Sequence, residues 1–509
     1  MTARTLMIQG ASSSVGKSLL TAALCRIFAG RGVRVAPFKA QNMSNNAAVC
    51  TNGAEIGRAQ AMQAAAAGIE PTADMNPILL KPEADSRSQV IVAGRPWRTL
   101  AAREYYTVRE QLWSEVVAAL GRLRSTHDLV IIEGAGSPAE LNFQASEIVN
   151  MAVARYARSP VLLVGDIDRG GVFAQLLGTL WLLDPADREL VRGLIVNKFR
   201  GDRSLFVDGE RILRERAELP VLGVVPFIHG LSLPDEDAAE LDGRAAEPSR
   251  GDTLDVAVVR LPQIANFDDF DPLRSEPGVR LRYVDSPQAM GDPDAVVLPG
   301  TKSTAADLQW LRVTGLADAV VRLARRGVAV VGICGGFQML GGPIRDPDCV
   351  ESAAGDVEGL GLLPAETTFT SKKSTHRVVA HVLGGPGWLG ALAGEVVTGY
   401  EIHSGHTRSD RPWLRVTREG DPGESSFDGL AGEDGRVWGC YLHGLFANDV
   451  YRRAWLTSLR GGRAGQAPVS TARGFQDALD HLARVVEASL DLDELQRIIR
   501  EPAEAGVSR

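Results

Sequence analysis

The chain has 509 residues, of which 45% are apolar and 23% charged. At about 100–200 residues per domain this allows two to four domains with substantial cores, and it excludes a disordered or fibrous protein. The 55 basic and 63 acidic residues leave a net charge of −8 with the signs interspersed, so the basic footprint of a nucleic-acid binder is missing. No window approaches the roughly 18 uncharged apolar residues of a membrane span. The opening MTARTLMIQGASSS reaches a Gly/Ser loop before a signal-peptide core develops. The expectation is a cytoplasmic protein with neither nucleic acid nor membrane as partner. Five cysteines, Cys25, Cys50, Cys334, Cys349 and Cys440, form no CxxC pair, which argues against a disulfide framework or a Cys-based zinc site.

In chain order, the runs TLMIQG, VRVAPF, LVIIEGAG, PVLLVGDI, VRGLIVNKF and PVLGVVPF alternate with helix-like segments. Strands so nearly continuous in apolar residues predict a parallel sheet covered on both faces. A first α/β unit is expected over residues 1–234. Residues 235–252 lack apolar periodicity and are rich in acidic, Gly and Pro residues, as a linker would be. A second series, LDVAVVRL, VRLRYV, AVVLPG, GVAVVGIC and WGCYLHGLF, predicts another α/β unit over 253–450. Residues 451–509 are expected to be helical, with Leu479, Leu482, Val485 and Val486 spaced as on one amphipathic face.

Directly after the first predicted strand stands Gly10-Ala-Ser-Ser-Ser-Val-Gly16-Lys17-Ser18, followed by the helix-prone LLTAALCRIF. In a GxxxxGK(S/T) loop, backbone amides cradle phosphates at a helix N-terminus, the lysine meets the β/γ oxygens and the serine holds Mg²⁺. Here Ala11 takes the place of the first glycine and Gly10 stands one residue early. The plainer alternative, an ordinary turn before a helix, does not require strand, loop, Gly-Lys-Ser and helix in that order. A Mg-nucleotide site also wants a carboxylate at a neighbouring strand end. Glu133 closes LVIIEGAG at such a position, and Asp166 and Asp168 close the next strand. Acids at strand ends are also simple helix caps. Asn197 and Lys198, after GLIV, could read a base edge or form a solvated strand end.

In the second half, Val331-Gly332-Ile333-Cys334-Gly335-Gly336 puts a cysteine between an apolar strand and a Gly-rich helix start. A sharp strand-to-helix turn exposes a nucleophile, and a helix N-terminus favours the thiolate. A buried structural cysteine would not need those glycines. Such a nucleophile needs a base, and His443 in Tyr441-Leu442-His443-Gly444 follows another apolar strand. His403 and His406, in GYEIHSGH, are close enough for a metal pair, but nothing completes a site, and they are read as substrate-facing or structural.

These residues carry a resemblance. The second half is similar to class I glutamine amidotransferase domains, whose GxCxGxQ loop matches Gly332, Cys334, Gly336 and Gln338, and the first half to the dethiobiotin-synthetase-like ATPases. Over residues 5–450 the runs VAPFKAQNMSNNAAV, EIGRAQAMQA, EGAGSPAEL, VLLVGDIDRGGVFA, LPGTKSTAADLQWLR and GYEIHSGH resemble the cobyric acid synthase family of cobalamin biosynthesis. The resemblance implies two α/β domains: an N-terminal P-loop NTPase-like parallel sheet and a C-terminal class I glutamine amidotransferase domain of flavodoxin-like fold. It also implies ATP- and glutamine-dependent amidation of the b, d, e and g carboxylates of adenosylcobyrinic acid a,c-diamide, with ATP, Mg²⁺ and L-glutamine taking part.

By resemblance, Gly10, Gly16, Lys17 and Ser18 would hold the triphosphate, Asn197 would read the base, and Ser18 and Glu133 would ligate Mg²⁺, with Glu55 a further metal candidate. Lys39 would contact the substrate carboxylate or its acyl phosphate. Cys334 would attack the glutamine amide with His443 as its proton partner, and the backbone amides of Gly300 and Gly335 would hold the oxyanion. Most class I domains carry a Glu two residues past the His, whereas here Leu445 stands there. Glu401 is the candidate to orient His443 instead. Ammonia must travel between the sites unprotonated, so an internal passage is expected. The competing classes are another amidoligase of the same build, a partition-type switch ATPase, and a domain that has lost glutaminase activity. A switch ATPase would carry a second lysine early in the loop, where this chain has Ala-Ser-Ser-Ser-Val.

Overall fold

The computed structural model describes residues 2–83, 86–142, 147–234, 253–351, 355–461 and 470–501; the expected linker, 235–252, lies outside the described residues. Six of the apolar runs form one sheet in the order Val221–Pro226, Val191–Phe199, Val161–Asp166, Arg4–Gly10, Leu129–Glu133 and Val35–Phe38. Every pairing in it is parallel. Strands buried on both faces have no use for polar alternation, which is why these segments read as unbroken Val, Ile and Leu. The strand order reverses at Arg4–Gly10, so the loops at the carboxyl ends of its neighbours part there and leave a crevice.

The second sheet runs Val279–Val284, Leu254–Val259, Ala295–Leu298, Ala329–Ile333 and Val437–Cys440, all parallel, with Leu430–Ala431 antiparallel at the edge. Both halves are thus α/β with parallel central sheets. Between Ala329–Ile333 and Val437–Cys440 the chain builds a long antiparallel hairpin, Glu366–Val382 with Val396–Arg408, extended by Leu414–Arg418 and Asp421–Asp428.

A smaller sheet, Gln41–Met43, Ile78–Pro82, Arg87–Val92 and Arg95–Ala101, stands where the halves meet. Successive side chains of a strand point to opposite faces, and here the two faces belong to different halves of the molecule. Leu80 and its partner Val90 line a cavity of about 690 Å³ beside the phosphate loop. Lys81 and its partner Gln89 line a second cavity, beside Cys334. Leu79 and Ile91, on the Lys81 face, pack with Ala47, Val49, Tyr400 and Ile402 into an apolar cluster joining the halves. One sheet therefore separates the two cavities.

The helix Asp449–Leu459 buries Tyr451 and Trp455 against Trp438 and Phe446. Thr471–Ser489 does something different: Leu479, Leu482 and Val486 pack with Leu20, Leu24 and Ile27 of the helix Lys17–Gly30. Arg26–Asp480 and Arg31–Glu487 ion pairs, both 2.7 Å, flank that seam. The chain's end thus returns to brace the first half. Among the described residues no helix is long and apolar enough to cross a membrane.

Candidate active sites

The phosphate loop leaves the central strand at Gly10 and enters the helix Lys17–Gly30 at Gly16. Gly16 has φ 95°, and a Cβ there would lie 2.3 Å from Asn197 Nδ2, so a side chain is excluded both by backbone strain and by collision. A Cβ on Gly10 would lie 2.6 Å from Val15 Cγ2 and 3.0 Å from Lys17 Nζ. Lys17 Nζ rests on the carbonyls of Ser12 at 3.4 Å and Gly136 at 3.2 Å. Carbonyl cradling of this kind holds an ammonium in place until phosphate oxygens offer stronger, charge-assisted bonds.

Glu133, 1% exposed, gathers three donors. Its Oε1 accepts from Ser18 Oγ and from Lys39 Nζ, each at 2.8 Å, and its Oε2 accepts from Gln63 Nε2 at 2.5 Å. Asn197 Nδ2 donates to Val15 O at 2.7 Å, bracing the loop from behind. Lys198 Nζ donates to Ser14 O at 2.6 Å and pairs with Asp166 at 3.0 Å. Asp168 turns outward to Arg200. The structure therefore places Gly16, Lys17, Ser18 and Lys39 in the wall of the 690 Å³ cavity, with Gly10, Glu133 and Asn197 packed directly behind them. It does not bring Glu55 there. That carboxylate is held between Lys81 and Lys373, beside the other cavity, and both of its oxygens are taken by ammonium groups. A metal ligand for the nucleotide must stand beside the phosphate loop, as Glu133 does through Ser18, whereas the partners of Glu55 line the cavity of Cys334.

Serine oxygen and one carboxylate are hard donors suited to Mg²⁺, which normally completes its shell with water and phosphate oxygens rather than with a protein cage. The donor set at Ser18 and Glu133 fits such an ion. Among the described residues no cluster of three or more His, Cys, Asp or Glu offers a stronger metal site.

At the second site, the strand Ala329–Ile333 delivers Cys334 at φ 52° and ψ −109°, a conformation few non-glycine residues adopt. The chain turns there directly into the helix beginning at Gly335. The first N–H groups of a helix have no acceptor within it, so the Gly335 amide beside the sulfur is placed to donate. A Cβ on Gly300 would lie 2.9 Å from His443 Cε1 and 3.8 Å from Cys334 Cβ. Gly300, Cys334 and His443 thus meet at one point.

His443 Nδ1 donates to Asp269 Oδ2 at 2.6 Å, while Asp269 Oδ1 accepts from Gly444 N at 2.8 Å. The ring stacks on Tyr400 at 5.2 Å. Burial works against the imidazolium, but the Asp269 carboxylate and the hydrogen-bonded Cys334 sulfur outweigh it and lift His443 to about 10. A charged His443 therefore stands beside the Cys334 sulfur.

Asp269 is the residue that sequence reasoning missed, and Glu401 does not take its place. On the strand Val396–Arg408, Tyr400 faces His443, so Glu401 points to the other side. There it pairs with His403 Nε2 at 3.3 Å and Arg418 Nε at 2.6 Å. His403 also stacks on Tyr441 at 3.9 Å, so the His403/His406 pair is built into the hairpin rather than around a metal. Phe267-Asp268-Asp269-Phe270 follows the first strand of the second half, and the fold buries all four residues. Two adjacent buried acids demand partners. Asp268 finds Arg58 of the first half, and Asp269 finds His443.

Comparisons with known proteins agree with this division. Residues 6–239 match the CobQ/CobB/MinD/ParA nucleotide binding domain, and residues 255–451 match the CobB/CobQ-like glutamine amidotransferase domain. The chain is 53% identical over 500 residues to the cobyric acid synthase of Chloroflexus aurantiacus, covering 98% of this chain and 100% of that protein. It is 55% identical over 493 residues to the cobyric acid synthase of Roseiflexus castenholzii, covering 96% and 98%. With that of Sorangium cellulosum the identity is 51% over 517 residues, covering 98% and 99%. A nucleotide-binding half and a glutamine-hydrolysing half, matched at this level over nearly the full length, make the chain an ATP-dependent glutamine-hydrolysing amidoligase that belongs to the cobyric acid synthase family.

Proposed function

We propose that this protein converts adenosylcobyrinic acid a,c-diamide to adenosylcobyric acid by amidating the b, d, e and g carboxylates, one ATP and one glutamine per amide. The observation that carries the proposal is the pair of cavities lying back to back across one small sheet, one lined by Lys17, Ser18 and Lys39, the other by Cys334 and His443.

A carboxylate is a poor acyl donor, so it is first activated. A carboxylate oxygen of the corrinoid attacks the γ-phosphorus of ATP, the bond from that phosphorus to the ADP oxygen breaks, and ADP departs with the electron pair. Lys17 offsets the charge on the phosphate oxygens, and Lys39, beside Glu133, meets the reacting carboxylate. Mg²⁺ held by Ser18 and Glu133 would supply further charge neutralisation at the phosphates. Ammonia then attacks the acyl carbon, the bond from that carbon to the phosphate oxygen breaks, and phosphate leaves with the electron pair and takes up the proton that the nitrogen loses, giving the amide.

The ammonia comes from glutamine. The Cys334 thiolate attacks the side-chain amide carbon, with the amides of Gly300 and Gly335 as the donors for the oxyanion. His443, protonated and held by Asp269, gives its proton to the departing nitrogen. The imidazole then takes a proton from water, which cleaves the thioester to glutamate. Only the small sheet separates this site from the synthetase cavity, so the passage ammonia needs is short.

The test is mass spectrometry of the corrinoid after incubation with the protein, MgATP and glutamine. Four successive losses of about one dalton each, with matching ADP, are expected. Glutamine hydrolysis and ATP turnover without any shift in the corrinoid would transfer the chemistry to another carboxylate.

A further inference from the structure

The cavity that Cys334 and His443 face is closed by the other half of the chain. Lys81 and Gln89, opposite each other on neighbouring strands, line it together with Lys302 and Lys373. Behind them lies Glu55, 1% exposed. Its Oε1 accepts from Lys81 Nζ at 2.5 Å and its Oε2 from Lys373 Nζ at 2.6 Å. Lys81 and Glu55 belong to the synthetase half and Lys373 to the long hairpin of the amidotransferase half, so the triplet crosses between them.

Two ammonium groups share one carboxylate here, which leaves a positive charge in excess where the lysine side chains are only 3% and 12% exposed. Burial lowers Lys373 to about 8 in spite of Glu55, as expected of a cation short of counter-charge. Each ammonium carries three N–H donors. Glu55 takes one from Lys81; Glu55 and Gln89 take two from Lys373. The third lysine of the cavity, Lys302, is answered by Glu83 at 2.7 Å, and Glu351, the acid that also lines the cavity, accepts from the Thr304 backbone N–H and is pushed by burial up to about 7 in spite of Lys302, so it supplies only part of a counter-charge. A buried surplus charge is costly unless something pairs with it. Glutamine brings one anionic group, its α-carboxylate, and must enter this cavity for its side-chain amide to reach Cys334.

We propose that Lys81 and Lys373 bind the α-carboxylate of glutamine, so that the amidotransferase pocket takes one of its specificity residues from the synthetase half. The inference rests on the glutaminase role of Cys334. It explains why Glu55 is buried between two lysines: the carboxylate holds both ammonium groups at one spot and leaves the cluster one charge short of neutral. It also makes the glutamine pocket incomplete in an amidotransferase half separated from the rest.

The experiment compares ammonia release from L-glutamine and from L-glutaminamide, which keeps the side-chain amide and the α-ammonium but has no α-carboxylate. Wild-type protein should prefer glutamine by about tenfold or more in kcat/KM, the scale of a charge-assisted hydrogen bond. In Lys81→Met, and separately in Lys373→Met, that preference should shrink severalfold, through KM for glutamine, while hydrolysis of glutaminamide continues and shows that the pocket is intact. Lys81→Arg should keep most of the preference. Equal kcat/KM for both compounds in the wild type would overturn the inference without any variant. So would an equal loss on both substrates in the variants, which would make the lysines a brace between the halves. Failure of the wild type to release ammonia from glutamine at all would remove the glutaminase assignment itself.

Discussion

Asp269 does for His443 what a Glu two residues further along does in most class I amidotransferases, a position held here by Leu445. Its removal gives a specific pH signature. The proton on His443 is held up to about 10 by Asp269 and Cys334, so wild-type kcat at saturating glutamine, where Lys373 is already paired with substrate, should fall only as pH rises through that value. In Asp269→Asn the carboxylate's contribution is gone while burial still disfavours the imidazolium. The basic limb of kcat should therefore move down by more than about one pH unit, toward the ordinary histidine value near 6.5. An unmoved limb would show that Asp269 does not set the proton. Cys334 and His443 were legible in the sequence because glycines and strand ends mark them locally. Asp269 was not, because its partner is 174 residues away and the hydrogen bond exists only once the fold has formed. Glu55, a metal candidate by resemblance, stands elsewhere for a related reason: its two lysine partners, one of them from the other half, meet it only in the folded chain.

The parallel strands were legible as elements, since burial on both faces leaves an unbroken apolar run. The small sheet between the cavities was not, because its four strands, such as QNM and RPWRTLA, are short or mixed in polarity. Its alternation acquires meaning only when both faces are covered by different halves. The helix Thr471–Ser489 falls between these cases. Leu479, Leu482 and Val486 announce an amphipathic face, but the partner of that face, the helix after the phosphate loop, is more than four hundred residues earlier in the chain. Leu482→Ala should cost about 2–5 kcal/mol, the range for a buried leucine cut to alanine. Urea unfolding followed on the synthetase half would measure it; a change under about 0.5 kcal/mol would be the value for a surface position and would contradict the packing.

At the scale of the whole molecule, buried charge crosses between the halves. Arg58 pairs with Asp268, and Glu55 with Lys81 and Lys373. Burial alone would push the Glu55 carboxyl up, but the two lysines outweigh it and hold it at about 2. A carboxyl depressed in the folded state stabilises fully above its ordinary value of 4.5, and that contribution is lost as pH falls toward 2. Glu55→Gln should flatten the acid-side dependence of stability in that window, and a melting series from pH 5 to pH 3 that is superimposable on wild type would contradict it.

The two sites should also fail separately. Lys17→Ala should abolish amidation from glutamine and from ammonia alike, by at least about a hundredfold, since activation of the carboxylate precedes either nitrogen source. Retained ammonia-dependent synthesis would refute the role of the phosphate loop. The most direct measurement is amide formation by Cys334→Ser, assayed in parallel with glutamine and with ammonium salt. Glutamine-driven amidation should fall by about a thousandfold or more while the ammonia-driven rate stays within about twofold of wild type. Loss of both activities, or retention of both, would contradict a single chain in which Cys334 makes ammonia at one site and the phosphate loop consumes it at the other.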